Sequence, residues 1–341
     1  MKALVLTKYG NAYEAFEIRE LNEEILLPGE VRIEVSASGL NFADVLGRKG
    51  LYPALPPLPV VMGYDVVGKI TQVGEGVDAQ WIGKRVAALT HFGGYASAVN
   101  TPVSGVVELP DSISDEEGCA LGTQYATALY MSDYLQTTKK GERVLVHAAA
   151  GGVGTALVQL LLHKGCDVYA TAGSDTKVNA LMKLGVKAIN YRSEDYESAL
   201  QKYLGNHKLD VVFNSIGGKT FKKDMRLLGA GGRLLLFGYS ERTSMWGGKL
   251  ATLRVVMQMG RLIPIMLLAH SKSVMGVNML NVAVQKPELI GQLMTELVAL
   301  HAQGAIQPHI GKVYSYTEVG QAHHDLESRT TQGKLVLKWT N

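Results

Sequence analysis

Apolar and polar positions follow three successive patterns along this chain. Up to about residue 118 the apolar runs are short and alternate. Pro28-Gly29 marks a turn, Val31, Ile33 and Val35 follow with period two, and further strands are predicted at Val66 to Val73 and Arg85 to Leu89. Glycines at 63, 68, 74, 76, 83, 93 and 94 punctuate these runs. Many short strands at such spacing point to a partly closed β-barrel. From Ser114 the period becomes helical. Ser114 caps a predicted helix whose first turn carries Asp115, Glu116 and Glu117, and which runs to about Tyr134. From Arg143 onward, strands alternate with helices: Arg143 onward, Asp167 to Ala172, Val186 to Asn190, Leu209 to Asn214, Arg233 to Gly238 and Lys272 to Val277. Alternation of this kind predicts right-handed crossovers and a parallel sheet covered on both faces. The end of the chain returns to a helix (Pro287 to Gln303), a last helix around Glu318 to Ser328 and the strand Gly333 to Leu337.

The segment Arg143 to Leu162 organises the rest. Val144, Leu145 and Val146 make a buried strand, Ala148 to Gly154 a small-residue turn, and Val153, Leu157, Leu160 and Leu161 recur at helical spacing. Strand, glycine turn and helix open a dinucleotide-binding unit, in which Ala149, Ala150, Gly151, Gly152, Val153 and Gly154 would face a pyrophosphate. Ala149 stands where the usual first glycine would be, and an ordinary tight turn is the competing reading. The second strand ends in Ala172-Gly173-Ser174, with no acid at its tip to hold a ribose hydroxyl; Asp175 reads as part of a helix cap. A neutral tip formed by Gly173 and Ser174, with Lys177 and the ring of Tyr191, suits a 2′-phosphate and hence NADP(H). Lys177 is equally a solvated helix lysine when taken alone.

Composition narrows the class. A length of 341 residues fits two domains. A net charge of +3, scattered along the chain, gives no argument for nucleic acid. Two cysteines, Cys119 and Cys166, cannot form a disulfide framework and suit a reducing compartment. The N-terminal apolar run is too short for a secretory signal, and no charge-free run reaches membrane-spanning length. A soluble, cytoplasmic protein is the expectation. The stretch Ser244 to His270 holds Met245, Met257, Met259 and Met266, with Pro264 as a kink or break. Helices packed on the core, a cap over an apolar substrate, or contact with a membrane surface all remain open for it.

Several motifs in order carry a family resemblance. They are Gly39-Leu-Asn-Phe-Ala-Asp44, Gly50-Leu-Tyr-Pro53, Gly74-Glu-Gly-Val77, His147-Ala-Ala-Ala-Gly-Gly-Val-Gly154, Gly231-Gly-Arg233 and Leu326-Glu-Ser-Arg329. Over nearly its whole length the chain resembles the zinc-free quinone oxidoreductase branch of the medium-chain dehydrogenase/reductase superfamily, and within it the vesicle amine transport protein-like group. The resemblance implies an α/β protein with a GroES-like, partly closed barrel from residues 1–124 and 278–341. A Rossmann doubly wound parallel sheet from residues 125–277 is inserted between them, with a cleft where the two meet. It also implies homodimers or homotetramers. Zinc-dependent relatives carry a Cys where this chain has Asn41, and His-Glu where it has Tyr64-Asp65. The structural zinc loop is missing, and none of the nine histidines lies in a recognisable ligand spacing. His323-His324 reads as a surface pair near a helix end. No metal is expected.

Without zinc to acidify an alcohol, the accessible task is hydride delivery into a conjugated acceptor, a quinone or an α,β-unsaturated carbonyl. On the family pattern Asn41, Asp44, Tyr52 and Tyr64 form the catalytic set. Asn41 and Tyr52 orient substrate or nicotinamide ribose, Tyr64 is a proton donor or a structural ring, and Asp44 is a network or catalytic carboxylate. Thr127 should approach the cofactor, and Phe237, Gly238, Val277 and Asn278, at or just after the ends of the last two strands, should meet the nicotinamide. Leu46 replaces a tyrosine of some relatives. The alternatives are an enoyl-thioester reductase and a non-catalytic lipid- or membrane-associated protein, membrane contact being the less favoured partner.

Overall fold

The computed structural model describes residues 1–238, 257–260 and 262–339. The chain divides into two compact units, Met1–Thr127 with Met279–Asn341, and Ala128–Asn278. Met245 and the rest of the predicted methionine-rich stretch up to residue 256 lie outside the described residues.

The first unit is a GroES-like barrel built on one long strand, Glu30–Leu40. Asp65–Val73 pairs antiparallel along one edge, with register shifts at Arg32/Ile33 and Val35/Ala37. The other edge is shared: Ala98–Pro102 pairs with residues 30–34, and Lys334–Lys338 pairs with residues 37–40. Bulges bend a strand and raise its twist, which lets one strand serve two partners on a single edge. Val31, Ile33, Val35, Leu40, Val66, Ile70, Val86, Leu335 and Leu337 point into the core that this curvature encloses. The polar strand Phe16–Glu20 pairs with Lys2–Leu6 at the periphery. Its Ile18 is exposed, so no alternation advertised it.

Ser114 caps the helix Asp115–Ala120 in a capping box with Glu117. The helical path then widens into π turns at Leu121–Tyr125 and Tyr130–Tyr134, separated by the α turn Ala126–Leu129. The expectation of a surface histidine pair fails at His323. Helix Val319–Ser328 buries Val319, Ala322 and His323, a spacing of three and four that defines one face, while His324 is exposed. The His323 ring packs 4.7 Å from Phe16 and edge-on to Tyr95.

The second unit is a Rossmann sheet of six parallel strands. Their order is Lys187–Asn190, Asp167–Ala172, Arg143–Val146, Leu209–Asn214, Leu228–Leu236 and Ser273–Gly276. Val144, Leu145 and Val146 are completely buried at its centre, as a sheet covered on both faces requires. The strand order reverses beside Arg143–Val146, making the carboxyl end of that strand the switch point. Pro264 opens the helix Pro264–His270 at its first position instead of kinking one, because no N–H is needed there. That helix buries none of its residues, so the reading of a helix packed on the core does not hold for it. Met259 does pack against the core. Among the described residues no helix is long and apolar enough to cross a membrane.

Candidate active site

In the Rossmann unit the predicted nucleotide residues gather at the carboxyl edge of the sheet. Helix Gly152–His163 starts at Gly151 with no side chain capping it, so its first N–H groups are left for an acceptor. The turn before it is tight. Gly151 N–H donates to the Ala148 carbonyl at 2.9 Å, Ala149 N–H donates to Thr171 O at 3.0 Å, and Ala148 has φ +50°. A Cβ on Gly154 would lie 2.4 Å from the Ala148 carbonyl oxygen, so only glycine lets the helix approach the strand this closely.

At the next strand end, the Tyr191 hydroxyl lies over Gly173, and Tyr191 N–H donates to Ala172 O. The hydroxyl of Ser174 caps helix Asp175–Lys183 by accepting from Lys177 N–H at 3.4 Å. Lys177 itself is half-buried in the first turn. Asp175 accepts from Asn190 Nδ2 at 2.7 Å, which ties it to the neighbouring strand end. Phe237 N–H donates to Asn214 O at 3.1 Å and Val277 N–H to Leu236 O at 2.8 Å. Phe237, Gly238, Val277 and Asn278 thus follow the last two strands on this same edge.

In the barrel unit Asn41, Asp44, Tyr64 and Asp65 converge. Asn41 caps helix Phe42–Arg48, and its N–H donates to Asp44 Oδ2 at 2.7 Å. The Asn41 amide is engaged at both ends: Nδ2 donates to Asp65 Oδ2 at 2.7 Å, and Oδ1 accepts from Lys334 Nζ at 3.0 Å. Lys334 also forms a close ion pair with Asp65, both fully buried. The second Asp65 oxygen accepts from the backbone and hydroxyl of Thr123, each at 2.6 Å. Thr127 is buried and spends its hydroxyl proton on Thr123 O at 2.5 Å.

Burial pushes the Asp44 carboxyl up to about 7, with the nearby Asp65 charge adding to the effect and the Asn41 N–H and Lys334 opposing it. Its Oδ1 has no hydrogen-bond partner. Burial also raises the Tyr64 phenol, with Asp44, Tyr52 and Asp65 as neighbours that add to the effect. The Tyr64 ring packs on Phe92 and Leu280, with Tyr52 and Ala43 against the same cluster.

Sequence reasoning missed Lys334, Thr123, Tyr95 and Arg48. The signal for Lys334 was Gly39, inside an otherwise well-filled strand: a Cβ there would sit 2.3 Å from Lys334 Cε. Arg48 is almost fully buried and donates to Gly10 O and to Glu327, the latter in the Leu326–Arg329 motif. Among the described residues no group of three or more His, Cys, Asp or Glu is placed to hold a metal ion.

This combination of a GroES-like barrel and a parallel Rossmann sheet defines a class. The chain belongs to the medium-chain dehydrogenase/reductase superfamily, in its zinc-free quinone oxidoreductase-like branch, and is an oxidoreductase of that family with an NAD(P)-binding Rossmann-type domain. The family description "Alcohol dehydrogenase GroES-like domain" matches residues 27–111, and "Zinc-binding dehydrogenase" matches residues 184–337. The synaptic vesicle membrane protein VAT-1 homolog of Rattus norvegicus is 33% identical over 342 residues, spanning 99% of this chain and 84% of that protein. Among solved structures, Escherichia coli quinone oxidoreductase complexed with NADPH is similar with a TM-score of 0.86 and 29% identity, covering 99% of this chain and 100% of that one. CurK enoyl reductase is similar with a TM-score of 0.84 and 32% identity, covering 99% and 98%.

Proposed function

We propose that the protein is an NADPH-dependent reductase that delivers hydride to quinones or α,β-unsaturated carbonyls. One observation carries the reading: an uncapped helix N-terminus at the switch point stands beside a neutral second-strand tip, Gly173 under the Tyr191 hydroxyl. The helix amides suit a pyrophosphate, and the residue types Gly173, Ser174 and Lys177 suit a 2′-phosphate. The residues Ala149 to Gly154, with Gly173, Ser174, Lys177 and Tyr191, hold the nucleotide. Phe237, Gly238, Val277 and Asn278, which follow the last two strands of this unit, are the candidates to hold the nicotinamide.

When bound, NADPH supplies the hydride. Tyr52 and Tyr64, neighbours in the barrel cluster, are the candidate hydroxyls to donate a hydrogen bond to an acceptor oxygen. Asn41 and Lys334 neutralise and hold Asp65, while Asp44, protonated below neutrality, adds little negative charge near the oxygen where charge develops. Conjugation in the acceptor spreads the remainder.

The test is loss of NADPH absorbance over a panel of quinones and enones, alongside flotation with liposomes. Turnover without flotation is the expected result. Flotation with no turnover would favour the lipid-associated reading that the vesicle-protein similarity offers. Turnover confined to acyl-thioester enones would move the substrate class to enoyl-thioester reduction, for which the similarity to an enoyl reductase speaks.

A further inference from the structure

Beneath the glycine turn lies a polar network that the proposed chemistry does not use. His147, the residue before the turn, is buried between Thr171 and Asp224. Its Nε2 is 2.9 Å from Asp224 Oδ1, and its Nδ1 is 3.0 Å from Thr171 Oγ1. An ionised carboxylate only accepts, so Nε2 carries the proton in the neutral ring and Nδ1 accepts from the Thr171 hydroxyl. Tyr196 donates to Asp224 Oδ1 at 2.9 Å, and Asn214 Nδ2 donates to Asp224 Oδ2 at 2.5 Å. The Asn214 side-chain Oδ1 in turn accepts from the N–H groups of Ile216 and Gly217 at 2.8 and 2.9 Å. Three donors therefore surround a wholly buried carboxylate, and the network ties together the ends of the strands Arg143–Val146, Asp167–Ala172 and Leu209–Asn214.

The backbone beside this anchor is strained. Ala148 is a non-glycine residue at φ +50°, where its Cβ crowds the following carbonyl. Residues in such conformations persist only where their surroundings over-determine them, and they concentrate at ligand sites. The surroundings here can be named. His147 N–H donates to Phe213 O at 3.0 Å, Ala149 N–H to Thr171 O at 3.0 Å, and the His147 side chain is clamped from both ring nitrogens.

We propose that His147, held by Asp224 and Thr171, is a positioning residue for nucleotide binding, keeping Ala148 left-handed so that the helix amides from Gly152 onward stay aimed at the pyrophosphate. The proposal rests on the nucleotide reading above, and it makes the turn's shape a product of side-chain anchoring.

The test combines three substitutions. Thr171→Val removes the hydroxyl with little change of shape, His147→Leu removes the clamp, and Ala148→Gly removes the strain. A left-handed alanine is disfavoured enough that loosening its anchor should raise the NADPH dissociation constant by about 5- to 30-fold. Calorimetry on Thr171→Val should show this rise, and His147→Leu, if it folds, at least as much. Adding Ala148→Gly should restore Thr171→Val to within about threefold of the parent, since glycine adopts the turn unaided. In nucleotide-free protein, hydrogen exchange at the Gly151 amide, bonded to Ala148 O, should quicken in Thr171→Val and leave the barrel strands unchanged. A lowered melting temperature with an unchanged dissociation constant would reduce the network to a structural role and overturn the proposal. A weakened affinity that Ala148→Gly does not restore would overturn it equally. If the parent protein takes up no NADPH, the nucleotide reading fails, and the exchange rates alone then decide whether His147 anchors the turn.

Discussion

Asp44 and His323 should give the barrel unit two opposite pH dependences that cancel until one residue is removed. Both are completely buried, and the Tyr95 hydroxyl lies 3.4 Å from His323 Nε2 and close to Asp44. Burial raises Asp44 from 3.8 to about 7, with Asp65 raising it further and the Asn41 N–H, Lys334 and Tyr95 pulling it down. Burial depresses His323 from 6.5 to about 3, assisted by the Arg48 charge. For Asp44 the folded state holds the proton more tightly, so its contribution is complete below pH 3.8 and is lost as pH rises through about 7. For His323 the folded state refuses the proton, so its contribution is complete above pH 6.5 and is lost as pH falls through about 3. Each slope is about 1.4 kcal/mol per pH unit, and between pH 4 and 6.5 they oppose. Asp44→Asn should therefore gain on the parent by roughly 3 kcal/mol from pH 4.5 to 6.5, and His323→Gln should lose a similar amount. At about 2–4 °C per kcal/mol the difference in melting temperature should drift by about 5 to 11 °C, upward for one variant and downward for the other. Scanning calorimetry of parent and variants at half-unit pH steps reads this directly. Two flat difference curves, or two of the same sign, would refute the assignment of both groups as neutral in the fold.

Lys334→Met strands a buried Asp65 carboxylate and should destabilise the protein by about 3–5 kcal/mol, whereas the double variant with Asp65→Asn should recover much of it; urea titration of the parent and both variants checks the order. Lys177→Ala should raise the dissociation constant for NADPH far more than that for NADH, and equal changes by calorimetry would remove this lysine from the phosphate site. Dialysis against a strong chelator should leave quinone reduction unchanged if, as the family resemblance implies, Asn41 and Tyr64 replace zinc ligands; activity restored by zinc would contradict that reading.

The nucleotide unit was legible because its elements are encoded locally. The run Val144 to Val146, the small residues from Ala148 and the period of Leu157, Leu160 and Leu161 each specify one element, and the sheet's registers follow from them. The barrel unit was legible only in outline. Its alternating strands predicted a barrel, but Phe16–Glu20 and Ala98–Pro102 are edge segments whose pairing depends on a distant strand. The site residues divide in the same way. Asn41 and Asp44 sit in a capping box readable from three-residue spacing. Lys334 reaches Asn41 across 293 positions of sequence, and no local pattern reports that contact. His323 misled because adjacent histidines near a helix end resemble a polar face; the helix rotates one inward where Val319 and Ala322 already point.

On the proposed function, the charge balance of the barrel cluster bears on the choice of a conjugated acceptor. Asp65 carries a negative charge that Lys334 matches at close range, and Asn41 bridges the two. Asp44 and His323 are held uncharged through most of the acidic range by burial. Arg48, the other deeply buried cation of this region, is matched by Glu327. Among the described residues of the cluster, the buried charges named here are each matched, and a buried uncompensated charge would be costly to hold there. What remains is hydrogen bonding from hydroxyls such as Tyr52 and Tyr64, a modest stabilisation compared with a full charge. A reductant working through such a site needs an acceptor that delocalises its own negative charge, which quinones and enones do and simple ketones do not. A simple ketone reduced as fast as its conjugated analogue would show that the cluster supplies a charge this accounting omits.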